Sequence, residues 1–498
     1  MIARGRQALH FRVVLKTHPF RLNASGVTCG FPILMDKLVF AIILILSLLV
    51  AVWSRGGRRH DEIHDYFVAS RQFGGLLLFF LAVGETYSLG VLTAFPGGVY
   101  LHGLTFCVWF VGYIVLAFPV GYFLGPLIWR AARRYDPVTM ADLFARHFSS
   151  RLLEIIVAGA AILFMVPWGV IQFMGLTMVL QGLGFDWPAW ALMGVAAALA
   201  YAYTAISGIR APAYVSVIKD VLLLAAIFTV GVAAMRLPHG REAMLRGVAT
   251  AHFTGRDIRI MATNILFQAS GLCMFPSYAA SIFTAKDART VQRAQIAMPL
   301  YMVMFAFLIV VAFYARGAFG DGLSPNHVFI DTARQLLPPW LIGLVAGGAA
   351  LSGLVVLAGT CLVIGPLFTH NLLKSLTESQ QKTGAQAIGV VYLLASMVGA
   401  AFASSFAATM NNLTYFGMTQ FLPGVVVIAL NLRAPGAAVA TGILVGDIIP
   451  VILFFLGADT GGVNPGLIGL VANVAIVTSM TLRARRSKDR TLCLQSNE

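Results

Sequence analysis

Hydrophobic residues in this chain arrive in long unbroken runs, not in the alternation of a strand or the narrow stripe of a surface helix. Read in windows of about 20 residues, the length a helix needs to cross a bilayer, the chain gives thirteen spans. They fall at roughly 37–53, 74–97, 103–131, 152–182, 187–207, 212–235, 258–283, 294–315, 338–369, 386–406, 410–431, 436–456 and 463–482. The pattern predicts an all-α polytopic membrane protein. Several runs are longer than a bilayer requires, which implies tilt or extension beyond it.

One run turns polar where it should be most apolar. Gly84, Glu85, Thr86, Tyr87 and Ser88 sit near the middle of span 2. An ionised carboxylate at mid-bilayer costs about 2.5–3.5 kcal/mol on insertion scales, so such a residue usually faces a cavity or a partner helix. A glycine beside it weakens the helix where backbone groups could turn toward an ion. Span 7 carries a matching interruption at Ser270–Gly271 and Pro276, in NILFQASGLCMFPSY. Paired broken helices in two halves of a membrane protein point to a mid-membrane site of a secondary transporter. The plainer alternative is a pair of kinked helices with a neutral, hydrogen-bonded glutamic acid.

Candidate substrate-binding residues are therefore Gly84, Glu85, Thr86, Tyr87, Ser88 and Thr93 on span 2, with Asn264, Gln268, Ser270 and Gly271 on span 7. Gln172 on span 4 and Asn411, Asn412 and Tyr415 on span 11 extend the set. Each of these last has a helix–helix hydrogen bond as its alternative role.

Composition agrees with the pattern. With 59% hydrophobic residues, 11% charged residues and a mean hydropathy of +0.83, the chain has more apolar surface than a soluble core can absorb. The net charge of +15 comes from short clusters between spans, with no basic reading face, which argues against nucleic acid as a partner. Basic residues favour the loops after odd-numbered spans by about three to one, predicting an external N-terminus and a cytoplasmic C-terminus.

Residues 1–36 run against that rule, with Arg4, Arg6, Arg12, Lys16 and Arg21 and no acid before Asp36. They are expected to be a non-native or targeting leader, translation starting at Met35, with an organellar transit peptide as the alternative. The five cysteines show no metal-ligand spacing and no disulfide framework. Walker A, nucleophile-elbow and HExxH motifs are absent, so neither ATP-driven transport nor an enzyme is expected. The expected partners are a small-molecule substrate and the lipid bilayer, with no obligate protein partner and no cofactor beyond a coupling ion, H⁺ or Na⁺.

Several segments resemble the sodium:solute symporter family. They are DYFVASRQFGG (65–75) leading to FPGGVY (95–100), DPVTMADLFARHF (136–148), SGIRAPAYVSVIKD (207–220), FPSYAASIFTAKDARTVQRAQ (275–295) and LFTHNLLK (367–374). The resemblance runs in register over roughly 37–480. It implies a LeuT-like inverted repeat of five plus five helices, about 74–235 and 258–431, within a symporter domain at 37–482, followed by a cytoplasmic tail at 483–498. It also implies alternating-access symport and a bacterial inner (plasma) membrane location. A transporter-like sensor or a channel is the alternative function.

Departures from the family pattern bear on the coupling ion. Sodium-coupled members hold Na⁺ between carbonyls of broken span 2 and hydroxyls on span 9, whose matching positions here are Val355 and Val356. Valine offers no oxygen to a hard cation, and the nearest hydroxyls are Ser352 and Thr360. An acid common early in span 6 is replaced by Ser216, and Lys219 follows one turn later. The ion-coupling candidates are thus Glu85, Tyr87, Ser216, Lys219, Ser352, Val355 and Val356. These changes favour H⁺ over Na⁺, carried by Lys219 or Glu85; the alternatives are a lysine that reaches the interface and a rearranged sodium site using Ser352 or Thr360. They resemble the bacterial monocarboxylate permease branch, which implies a small organic acid as substrate.

Overall fold

The computed structural model describes residues 31–54, 79–80, 83, 87–208, 210–249, 252–373, 376–403 and 407–495. All regular structure among them is helical. Eleven helices are long and apolar enough to cross a membrane, and the bent pair Gly255–Met274 and Pro276–Thr284 makes a twelfth. The longest, Leu89–Tyr135, has 47 residues and would measure about 70 Å if straight, far more than a hydrocarbon core of about 30 Å. It is not straight. Gly103, at φ 59° and ψ −138°, lies where only glycine avoids a clash of its Cβ, and the chain folds back there. Phe95 and Phe110, fifteen residues apart, bring their ring centroids to 5.2 Å. Residues 89–102 thus correspond to the end of predicted span 2, most of whose first half lies outside the described residues, and residues 104–135 to span 3.

Contacts at the two ends confirm the alternation of spans. At one end Arg133 donates to Lys286 O (3.2 Å), Arg134 to Asn431 Oδ1 (2.5 Å) and Arg151 to Leu372 O (3.2 Å), joining loops after spans 3, 7, 9 and 11. At the other, Lys37 donates to Gly184 O (3.0 Å), Arg256 to Asp459 Oδ1 (3.0 Å) and Ala407 N to Asn326 Oδ1 (3.2 Å). There the start of span 1 meets loops after even-numbered spans.

Three helices run well past their hydropathy windows. Span 8 runs through Ala288–Ala297, a tight turn at Met298–Met302 and Val303–Phe319; span 10 begins at Glu378; the helix of span 13 continues to Gln495. Hydropathy stops at the first polar residue, whereas a helix continues through polar residues outside the bilayer. Two short helices between spans, Pro238–Ala249 and Val328–Leu336, carry too few apolar residues to register in a span-length window.

The packing that matters most for the site surrounds Leu89, the first residue after the span 2 interruption. A Cβ on Gly175 of span 4 would fall 2.6 Å from the Leu89 side chain, and one on Gly353 of span 9 would fall 2.9 Å from it. Leu89 therefore fits between two glycine faces. That contact fixes where the second half of span 2 begins.

Candidate functional site

Both interrupted spans restart their helices beside one cavity. In span 2, Ser88 is extended (φ −102°, ψ 179°) and caps the helix that starts at Leu89. Its Oγ accepts from Gly90 N (3.2 Å) and from Gln172 Nε2 (3.3 Å). In span 7 the helix Gly255–Gly271 tightens at Leu272–Met274, Phe275 turns extended, and Pro276 opens the second half at a 50° bend. Proline suits that position because its missing N–H would lack a helical partner anyway.

The first turns of these half-helices contribute Gly90 and Val91, and Ser277 and Tyr278, to a cavity of about 40 Å³. Tyr113 of span 3, Trp168 of span 4, and Asn411 and Tyr415 of span 11 complete its polar and aromatic wall. Among the described residues, no Asp, Glu, Lys or Arg lines it. The Tyr113 hydroxyl faces Asn411 and Tyr415, while Asn411 Nδ2 is buried without a hydrogen-bond partner. Two positive helix ends and a free amide donor make the cavity receptive to a small anion.

The predicted residues divide around this cavity. Gly84, Glu85 and Thr86 lie outside the described residues. Tyr87 is fully buried, stacks on Tyr301 at 5.3 Å and donates to Met302 Sδ at 3.5 Å. Thr93 bonds back to Leu89 O (3.1 Å). Asn264 accepts from Asn464 at the start of span 13 (2.7 Å), and Gln268 donates to Asn412 Oδ1 (2.6 Å). Ser270 bonds its own helix at Phe267 O (2.8 Å), and Gly271 lies against Thr419. None of these last five residues lines the cavity, whereas Asn411 and Tyr415 do. Tyr113, Trp168, Phe275 and Tyr278 escaped the sequence reading. A signal existed for the tyrosines: membrane tyrosines favour the interfacial belts, and these lie deep within spans.

The ion-coupling candidates sit behind the Leu89 contact, between spans 6 and 9. Gly343 and Gly347 of span 9 lie against Asp36 and Ile43 of span 1, so those helices run parallel. The far end of span 1 meets the start of span 6 through Trp53 and Tyr214, 5.8 Å apart, so spans 6 and 9 are antiparallel. They touch at Gly348 and Leu222. One turn from that contact come Lys219 on span 6 and Ser352 on span 9; two turns away come Ser216, Val355 and Val356.

All five are buried. Ser216 donates to Pro212 O (2.7 Å), whereas Ser352 Oγ has no partner. Lys219 does not reach an interface: its Nζ lies 2.7 Å from Asp220 Oδ1 and neither side chain is exposed. Asp220 in turn acts electrostatically on Tyr301, the ring on which Tyr87 stacks. No cluster of three or more histidine, cysteine or acidic residues suited to a metal is found among the described residues.

Comparison with known proteins places this geometry. The profile of the sodium:solute symporter family matches residues 66–431. The chain is 24% identical over 474 residues to a Bacillus subtilis protein described as uncharacterized symporter YhjB, covering 90% of this chain and 96% of that one. It is 25% identical over 466 residues to the monocarboxylate transport permease protein of Rhizobium johnstonii, covering 88% and 94%. Among solved structures, the substrate-bound outward-open state of a Na⁺-coupled sialic acid symporter superposes with a TM-score of 0.74 at 17% identity, covering 90% of this chain and 97% of the other. That likeness shows the fold, a LeuT-like bundle of inverted repeats.

Proposed function

Because the chain belongs to the sodium:solute symporter family, we propose that it is a cation-driven symporter of small organic anions, with short monocarboxylates as the fitting substrates. The carrying observation is the unpartnered Nδ2 of Asn411, in the wall of a cavity where two helix N-termini meet and where no described acidic side chain lies. A carboxylate would take that donor and the first-turn amides of Ser277 and Tyr278 in span 7, while Trp168, Phe275 and Ile171 would cover a short apolar tail. The small volume and the scarcity of side-chain oxygens suit such a solute better than a sugar. The relative described as a monocarboxylate transport permease supports the same class. Trp168 supplies the test. Lactate, pyruvate or acetate should change the tryptophan emission of the purified protein, and Trp168→Phe should remove the change; a response to glucose or myo-inositol but to none of these acids would overturn the reading.

We infer H⁺ as the coupling ion. Lys219 is a buried ammonium on the face of span 6 that meets Ser352, Val355 and Val356, where a sodium-coupled relative would need oxygens. An ammonium there can occupy the place that a bound metal cation would take. Na⁺ is the second reading, favoured by the family and by the unpartnered Ser352 Oγ and Asp220 Oδ2.

The basic loops that gather at the odd-numbered ends orient those ends toward the cytoplasm of a bacterial inner membrane. Spans 2–6 and 7–11, about 74–235 and 258–431, would form the inverted repeats, flanked by spans 1, 12 and 13. Alternating access would then open the Asn411 cavity to each side in turn by rocking one bundle against the other.

A further inference from the structure

Two sequence motifs that the transport site leaves unused meet at the basic end of the bundle. Asp142 belongs to the short helix Met140–Phe148 between spans 3 and 4. His370 and Asn371 belong to the widened π-turn Leu367–Leu372 that ends span 9. The Asn371 side chain has no exposed surface and makes a three-way tie. Its Nδ2 donates to Asp142 Oδ1 (2.5 Å) and Glu154 Oε1 (3.0 Å), and its Oδ1 accepts from Thr139 Oγ1 (2.7 Å). His370 Nε2 lies 3.3 Å from the same Asp142 oxygen. Arg151 closes the knot, 2.8 Å from Glu154 Oε2 and donating to Leu372 O. Such π-turns concentrate at functional positions, and this one lets two consecutive residues reach one carboxylate.

The acidic and amide members of the knot are buried, and Arg151 and His370 reach solvent. Asp142 and Glu154 are 3% and 4% exposed, whereas the His370 side chain is 40% exposed. It opens onto a cavity of about 420 Å³ shared with Ala145, Arg146, Thr369 and Gln381. We propose that this knot is a cytoplasmic latch on the inward-opening step, tightened when His370 takes up a proton from the cytosol.

The proposal rests on the orientation given above and adds regulation to that reading. Among the described residues, the charged groups around His370 are Asp142 and Arg146 of the short helix and Glu154 and Arg151 of span 4; span 10 contributes neutral Gln381, with Lys382 next in sequence. Burial pushes the Asp142 carboxyl up, but the bonds from His370, Asn371 and the Thr139 backbone outweigh it and hold the group below the usual carboxylate range. Asp142 therefore stays ionised wherever an imidazole titrates, and the change of charge belongs to His370. Protonation of the ring adds a full positive charge 3.3 Å from the ionised Asp142 carboxylate and turns a hydrogen bond from a neutral donor into an ion pair. Acidification of the cytosol then holds the short helix, span 4 and span 9 together. For an importer that delivers an acid, this is negative feedback.

Labelling of Ala145→Cys tests the latch without substrate or ion gradient, so its failure is separable from failure of the organic-anion reading. The full-length chain, with Cys29 and Cys493 replaced by serine, is labelled in inside-out vesicles by a membrane-impermeant maleimide. Rates are normalised to an exposed cysteine at Arg485→Cys, which removes the thiol's own pH dependence. Labelling should be about fivefold slower at pH 6 than at pH 8, the factor expected from strengthening one hydrogen bond by charge. His370→Gln should give the fast rate at both pH values, and Asp142→Asn should flatten the response in the same way. His370→Arg should be slow at both. An unchanged pH response in His370→Gln, or fast labelling of His370→Arg, overturns the proposal.

Discussion

Lys219 and Asp220 are neighbours in sequence, yet the ammonium and the carboxylate meet at 2.7 Å with neither side chain exposed. Adjacent helical residues point about 100° apart and do not normally face each other. The pair forms because both side chains curl into the seam between spans 6, 8 and 9 rather than toward solvent.

Breaking that pair should cost more than removing it. Lys219→Met leaves a buried carboxylate alone, which typically destabilises by about 3–5 kcal/mol. The double variant Lys219→Met, Asp220→Leu leaves no buried charge. The melting temperature in detergent should fall sharply for the single variant and recover in large part for the double one, while pH-driven accumulation is lost in both. A single variant as stable as the parent, still driven by a pH gradient, would remove Lys219 from the coupling step.

Asn411 should act on the substrate and little on the fold. Asn411→Ala removes one donor to a carboxylate, about 1–1.5 kcal/mol, and should raise KM about tenfold with the melting temperature unchanged. Asn411→Asp places a negative charge in the cavity and should abolish uptake of anions. Equal uptake by both variants would disconnect this cavity from transport.

The glycine faces around Leu89 are steric requirements. In Gly353→Val the new Cβ would lie 2.9 Å from Leu89 and 3.1 Å from Leu176, and overpacking of that kind costs about 1–3 kcal/mol. Gly159→Ala is the control, since a Cβ there meets nothing within 4 Å. The first should lower stability and slow transport; the second should do neither. If Gly353→Val transports normally, the start of the second half of span 2 is not held as described.

How far the sequence could be read follows from what each signal measures. Hydropathy counts apolar runs, so it separates spans 2 and 3 as the structure does, but Gly103, where Leu89–Tyr135 folds back, looks like any other glycine in the sequence. The interruption of span 7 is legible because Pro276 is a poor interior helix residue in an apolar run, whereas Gly84 and Glu85, which point to a break in span 2, lie outside the described residues. The wall of the cavity is not legible. Tyr113 and Trp168 resemble core residues in a chain this apolar, and only packing separates a core aromatic from a binding one. Asn264 and Gln268 had the right chemistry for a ligand, but Asn464 and Asn412 meet their polar ends. A single sequence does not show which polar residues satisfy each other.

Orientation is testable with a reporter enzyme active only outside the cytosol. Fused after Asp459, which joins the loops following even-numbered spans, it should be active; fused after Lys488 it should be silent. The opposite pattern would invert the proposed topology.

Uptake of radiolabelled lactate into proteoliposomes tests the central claim, H⁺-driven symport of a small organic anion, most directly. With the membrane potential clamped and protein-free liposomes subtracted to remove passive entry of the neutral acid, an inward proton gradient alone should drive accumulation. Pyruvate and acetate should compete with it, and glucose should not. Accumulation under an inward Na⁺ gradient at equal pH, with none under the proton gradient, would contradict proton coupling; competition by glucose or myo-inositol but by no carboxylate would contradict the substrate class.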